Sequence, residues 1–229
     1  PQPEGKWRWL GTDTLMFVPT VRFPMATEYK VEVPSGTASA TGAKLEAAKS
    51  FSFKTPALKL EGSFPNGGPQ VLNPLLFLRF NQDMDPHKVL PFVTLKGGGQ
   101  PAPLKLVSRE DAVLDRQIRA LVEAATSKKG QRWMVLAPSQ TLAAGKSYTV
   151  EVGVGSPSLE GPLTTTQVQS FAFSTYDPLK IMWKSDNVPP LAGWGINFNN
   201  PLDASKFTQD QLKITPALPG MMARVNGGS

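Results

Sequence analysis

The sequence predicts an all-β fold of sandwich units in tandem, on three observations. Proline and glycine number 22 and 20 of 229 residues, which multiplies turns and leaves little room for long helices. Short runs alternate in polarity, with Leu76, Leu78 and Phe80 on one face and Phe77 and Arg79 on the other. Finally, the chain repeats itself. Sliding the sequence along itself lays Pro19 on Pro138, Tyr29 on Tyr148, and Val31, Glu32 and Val33 on Val150, Glu151 and Val152. One residue further on, Phe51, Phe53 and Thr55 meet Phe171, Phe173 and Thr175. A separate shift lays Leu76, Leu78, Phe80, Asn81 and Asp85 on Trp194, Ile196, Phe198, Asn199 and Asp203.

The two halves of one pattern recur in opposite order, so the chain reads as cut from an array. Residues 58–177 form one complete unit, 1–57 the C-terminal half of a preceding copy, and 178–229 the N-terminal half of a following one. Boundaries are expected at Lys54-Thr55-Pro56 and Ser174-Thr175-Tyr176-Asp177-Pro178, where an aromatic strand runs into a proline that cannot continue a ladder.

The central unit opens with the strand Leu76 to Phe80, whose inward face Trp194, Ile196 and Phe198 repeat. Asp85 before Pro86 reads as a cap, and Gly97-Gly98-Gly99 as a flexible hairpin after the strand around Val93 to Leu95. Between Ser108 and Gly130, Val113, Leu114, Ile118, Leu121, Val122 and Ala125 recur at helical spacing. This predicts an amphipathic helix over 109–126, with Ser108 and Asp111 as a capping box and Lys128 and Lys129 at its C-terminus. Such a helix either binds a partner or covers an open end or face of the sandwich, the second being the simpler reading. Trp133 to Leu136 forms a strand ending at Pro138, and Tyr148, Val150 and Val152 alternate with Thr149 and Glu151. Phe171 and Phe173 close the unit. The expected core is Leu76, Leu78, Phe80, Trp133, Leu136, Tyr148, Val150, Val152, Phe171 and Phe173. Tyr29 and Tyr148 are expected to pin corners, each burying its ring while its hydroxyl bonds to backbone upstream.

Composition narrows the chemistry. The sequence has no cysteine and a single histidine, which removes thiol nucleophiles, disulfides, Cys-ligated metals and the usual catalytic triads. The net charge of +6 comes from Lys and Arg scattered along the chain, with Lys128, Lys129 and Arg132 as one modest cluster, and reads as solubility, with no nucleic-acid partner. No apolar run approaches the roughly 18 residues of a membrane span, so no membrane insertion is expected. The N-terminus, Pro1-Gln2-Pro3-Glu4-Gly5, lacks an initiator Met and a signal pattern, and reads as a mature segment or an excised piece.

Candidate sites fare poorly. Asn81, Asp83 and Asp85 are acidic enough to suggest calcium, but their spacing is not that of an EF-hand loop. His87 reads as an exposed turn residue, and Trp7 and Trp9 as core or inter-domain packing rather than a stacking platform. Catalytic, cofactor-binding and metal residues are all expected to be none, and the chain no enzyme.

In order, a strand ending in Phe80-Asn-Gln-Asp-Met84-Asp85, the Trp133–Pro138 strand, Leu142-Ala-Ala-Gly145-Lys-Ser-Tyr148-Thr-Val150 and Phe171-Ala-Phe173-Ser-Thr175 resemble a bacterial Ig-like domain of the S-layer type. Such modules also occur in the N-terminal region of bacterial alpha-2-macroglobulins, large envelope proteins that act as protease traps. The inserted helix and direct tandem stacking favour that family. The resemblance implies tandem Ig-like or macroglobulin-like sandwiches in the periplasm or cell envelope, partnered by neighbouring domains of the same parent chain, with proteases as targets of the intact parent. It also implies a non-catalytic scaffold here, because the Cys-Glu-Gln thioester of such traps needs a cysteine. The alternative implied is a tandem module of a bacterial surface, S-layer or adhesion protein.

Overall fold

A computed structural model describes residues 3–99, 102–126, 130–189, 191–216, 220 and 222–225. The fold is mostly β. Its strands are β1 (Gly5–Leu10), β2 (Thr14–Pro19), β3 (Glu28–Val33), β4 (Lys49–Lys54), β5 (Leu60–Phe64), β6 (Pro69–Gln70), β7 (Leu76–Phe80), β8 (Val93–Gly97), β9 (Leu104–Leu106), β10 (Trp133–Pro138), β11 (Ser147–Val152), β12 (Gln169–Thr175), β13 (Ile181–Lys184) and β14 (Ile196–Phe198). Three short helices interrupt them: α1 (Pro86–Val89), α2 (Arg109–Ala112) and α3 (Arg116–Thr126).

Two four-stranded sheets dominate, in the orders β5-β7-β10-β9 and β6-β12-β11-β8. Leu76, Leu78, Phe80, Met134 and Leu136 of the first share one buried core with Val93, Leu95, Tyr148, Val150, Val152 and Phe173 of the second. Eight of the ten expected core residues lie there, and Phe171 packs against it half-buried. Trp133 is a correction. It is buried with Phe77 and Val135 on the opposite face of the first sheet, beneath Ile118 and Val122 of α3. Period-two geometry requires this, since Trp133 and Leu136 are an odd number of residues apart and cannot share a face.

The single helix expected over 109–126 is also corrected, for the chain breaks between α2 and α3. Ser108 caps α2 by accepting the Asp111 N–H at 3.1 Å, and Asp115 starts α3 by accepting the N–H groups of Gln117 and Ile118, both at 2.9 Å. That second cap turns Leu114 out to 76% exposure, off the expected apolar face. Lys128 and Lys129 lie outside the described residues. The three glycines form no hairpin between paired strands either, because β8 and β9 lie in different sheets. Gly98, at φ +66°, passes so near the Tyr148 ring that a Cβ would overlap it.

The terminal segments reproduce parts of this unit. β3 and β4 pair Tyr29 with Phe53 and Val31 with Phe51, as β11 and β12 pair Tyr148 with Phe173 and Val150 with Phe171. β13 and β14 pair Ile181 with Phe198 and carry a bulge before Trp183, where β5 and β7 pair Leu60 with Phe80 and bulge before Gly62. β1 and β2 pair Trp7 with Phe17, as β9 and β10 pair Leu106 with Leu136. A tight turn joins β1 to β2, whereas α2 and α3 lie between β9 and β10, so the helices are an insertion on an otherwise common plan. In these segments the sheets have two strands and little cover. Trp7 and Trp9 are 60% and 62% exposed, which corrects the core-packing half of the core-or-inter-domain expectation; Trp7 meets the Phe17 ring edge-on.

Candidate functional site

The residues that recur in sequence converge on the two places where one repeat unit passes into the next. At the first joint, Ala26 at φ 53° donates its N–H to Pro56 O at 2.9 Å. At the second, Gly145 at φ 64° donates to Tyr176 O, also at 2.9 Å. Thr55 Oγ1 donates to Pro24 O at 2.8 Å and accepts the Thr27 N–H at 3.0 Å. Thr175 Oγ1 does the same with Ala143 O at 2.7 Å and the Lys146 N–H at 3.1 Å.

The tyrosines complete each corner as expected. Tyr148 is buried, stacks on Phe173 with centroids 5.7 Å apart, and accepts the Ala143 N–H at 2.9 Å. Tyr29 stacks on Phe53 at 5.2 Å and donates to Pro24 O at 3.4 Å. The polarity reverses because proline has no N–H to offer.

Asparagine ties the incoming strand to each joint. Asn81 Oδ1 accepts the Lys59 N–H at 2.9 Å and its Nδ2 donates to Ala57 O at 3.3 Å. Asn199 does so with Lys180 at 2.7 Å and Pro178 at 3.1 Å. Asn81 is therefore a backbone bridge. The other members of the acidic group are also engaged: Asp83 pairs with Arg132 at 2.7 Å, and Asp85 caps α1 by accepting the His87 N–H at 2.9 Å. His87 lies exposed in that cap, as expected. Among the described residues no group of three or more His, Cys, Asp or Glu is placed to hold a metal ion.

The joints differ in what lies against them. At the first, the loop after β11 folds over the linker, and Glu160 joins three partners. Its carboxylate accepts from the Arg22 guanidinium at 2.7 Å, the Met25 N–H at 3.1 Å and the Asp83 N–H at 3.0 Å. Burial pushes the carboxyl up, but the hydrogen bonds from Arg22, Asp83 and Met25 outweigh it and hold Glu160 below the usual glutamate range. Leu163 donates its N–H to Ala26 O at 2.8 Å, and buried Gln82 accepts from Ser158 Oγ at 2.8 Å while donating to Pro56 O at 3.2 Å. Gly161 passes so near Ala26 O that a Cβ would lie 2.3 Å from it.

At the second joint a polar cavity of about 380 Å³ occupies the corresponding place, lined by Gly145, Lys146, Tyr176, Asp177, Asn199 and Asn200 among others. Thr141 stands in the position of Arg22, and Pro201, which has no N–H, in that of Asp83. Sequence reading found Tyr29, Tyr148 and the recurring threonines, but missed Glu160, Arg22 and Gln82. Nothing marks a lone Glu between Leu159 and Gly161, and its partners lie far off in sequence.

No family model matches the chain. Over 160 residues, 66% of this chain, it is 26% identical to the Circularly permutated Ras protein 2 of Dictyostelium discoideum, and it spans 4% of that protein's length.

Proposed function

We propose that this chain is a non-catalytic scaffold and interaction segment of a bacterial alpha-2-macroglobulin-like protease inhibitor in the periplasm or cell envelope, built from tandem Ig-like sandwiches. The supporting observation is the joint made twice with the same hydrogen bonds, Thr55 and Asn81 at one and Thr175 and Asn199 at the other. A protease trap needs a large, jointed shell, and stiff units with short, hydrogen-bonded linkers supply one. The neighbouring units of the parent chain are then the immediate partners, and proteases are targets of the parent as a whole.

The name of the Dictyostelium relative raises a nucleotide-binding reading, which the local geometry disfavours. Gly145-Lys146-Ser147 has the lettering of a phosphate-loop ending, but Gln140 stands where the loop needs its first glycine and the chain continues into strand β11 rather than a helix. The test mixes the purified chain with trypsin or elastase and a large protein substrate. No inhibition is expected from this chain and stoichiometric inhibition from the full-length parent. Inhibition by the chain alone overturns the scaffold reading, and an inactive parent promotes the S-layer or adhesion alternative.

A further inference from the structure

The loop between β11 and β12 has a shape of its own. Gly155 donates its N–H to Thr165 O at 2.9 Å, and Thr165 returns its N–H to Ser156 O at 3.1 Å. The buried Thr165 hydroxyl accepts the Ser156 N–H at 2.9 Å and donates to Gly153 O at 2.8 Å. The loop between β3 and β4 closes in the same way. Gly36 donates to Leu45 O at 2.8 Å and Leu45 to Thr37 O at 2.9 Å, around a tip, residues 39–43, that is exposed. Since that loop keeps its bonds with an exposed tip, the fold of such a loop needs no surface beneath it. The contacts made by the tip of the β11–β12 loop are then docking contacts, separate from those that shape it.

What this tip docks on is the first joint. Glu160 Oε1 accepts the Asp83 N–H of its own unit at 3.0 Å. Its Oε2 reaches across the joint, accepting from the Arg22 guanidinium at 2.7 Å and from the Met25 N–H at 3.1 Å. One carboxylate therefore has an oxygen on each body. Leu163 adds its N–H to Ala26 O at 2.8 Å. Among the described residues, the hydrogen bonds that join residues 3–55 to the unit beginning at Ala57 are these of Glu160 and Leu163. Behind the tip, Gln82 accepts from Ser158 Oγ and donates to Pro56 O, so one buried side chain holds both the loop and the linker.

We propose that the β11–β12 loop is a strap that locks the first joint in one orientation, with the Glu160 carboxylate as its bolt. Undoing the bolt frees residues 22–54, which include the β3–β4 hairpin, to swing about Pro56 while the central sandwich stays folded. Small polar contacts of this kind hold two units only while they last, and charge-assisted bonds are the strong members among them. The Arg22 side chain is 51% exposed, so water stands ready to take the place of its partner. At the second joint Thr141 and Pro201 offer neither the guanidinium nor the N–H, and two of the bolt's three donors are missing there. All parts of the strap and its seat lie between residues 22 and 168, and the inference stands apart from protease trapping.

The chain has no cysteine, so introduced ones can be labelled cleanly. Ser50→Cys on β4 and Lys105→Cys on β9, both exposed, carry spin labels, and double electron–electron resonance reads the distance between the two bodies. One narrow distance distribution is expected. Glu160→Gln takes an acceptor from one body whichever way its amide lies, and should shift the ratio of locked to open chains about 10- to 100-fold toward open. Gly161→Ala works by a different route, because its Cβ would come within 2.3 Å of Ala26 O and wedge the strap away with every charge in place. It should shift the distribution in the same direction, and the double variant should be broad throughout. A control pair inside the central unit, Thr94→Cys with Lys105→Cys, should keep its distance in every variant. A distribution already broad without substitution at 160 or 161, one that stays narrow in the double variant, or a control distance that moves with the joint overturns the proposal.

Discussion

Tyr148 does two separable jobs, filling the core between the sheets and satisfying the Ala143 N–H. Removing only the hydroxyl, in Tyr148→Phe, leaves a part-buried donor without its partner and should cost about 1–3 kcal/mol. Tyr148→Ala also opens a cavity, for about 3–5 kcal/mol, and urea melts of both variants check the order. Glu160 gives a pH-dependent prediction. Its folded pKa is depressed, so its contribution is complete above the unfolded value near about 4.3 and is lost as pH falls through the folded one. The Arg22 guanidinium faces the carboxylate, and Asp83 pairs with Arg132 nearby. Amide NMR shifts of Met25 and Asp83 should therefore move together on acidification below that range. In Glu160→Gln both should start displaced and the Met25 amide should lose its response to acid, and an unchanged Met25 titration in that variant would assign the effect elsewhere.

At the scale of the element, the α2–α3 insertion covers a second apolar face. Ile118 and Val122 are fully buried against Phe77 and Trp133, so Ile118→Ala should cost about 2–4 kcal/mol, while Leu114→Ala, at an exposed site, should change a denaturant midpoint little. This contrast also shows what the sequence made legible. Apolar spacing located the helical insertion, but Asp115, a capping residue in the middle of it, was read through, so one helix was expected where two occur. Strand existence was readable from the repeat and from period-two alternation, whereas the pairing partners were not, since alternation sets a residue's face and not its neighbouring strand. Which face Trp133 took was not, since β10 is apolar on both sides and either face would accept a tryptophan. The joints were legible only where they recur: Tyr and Thr announce themselves twice, whereas the Glu160 contact occurs once and between distant segments.

On the scale of the whole molecule, burial is concentrated in residues 58–177. Amides of β7, β10 and β11 should exchange with solvent far more slowly than those of β1, β2, β13 and β14 in the isolated monomer, as hydrogen exchange will show. Equal protection throughout would mean that the terminal sheets are covered by something. Strand direction carries one more consequence, for a chain under tension. In β1–β2 the first and last rungs seen from the backbone are Gly5 and Pro19, directly opposite each other, and β3–β4 likewise enters at Glu28 and leaves at Lys54. A pull on such hairpins breaks their hydrogen bonds one rung at a time. The central unit is gripped instead at the start of β5 and the end of β12, in different sheets and at opposite ends, so force must shear many bonds together. Stretched between its ends, the chain should yield first at its two termini and hold at its middle, acting as a rigid link between compliant couplings, and single-molecule traces in which the middle gives way first would disprove it.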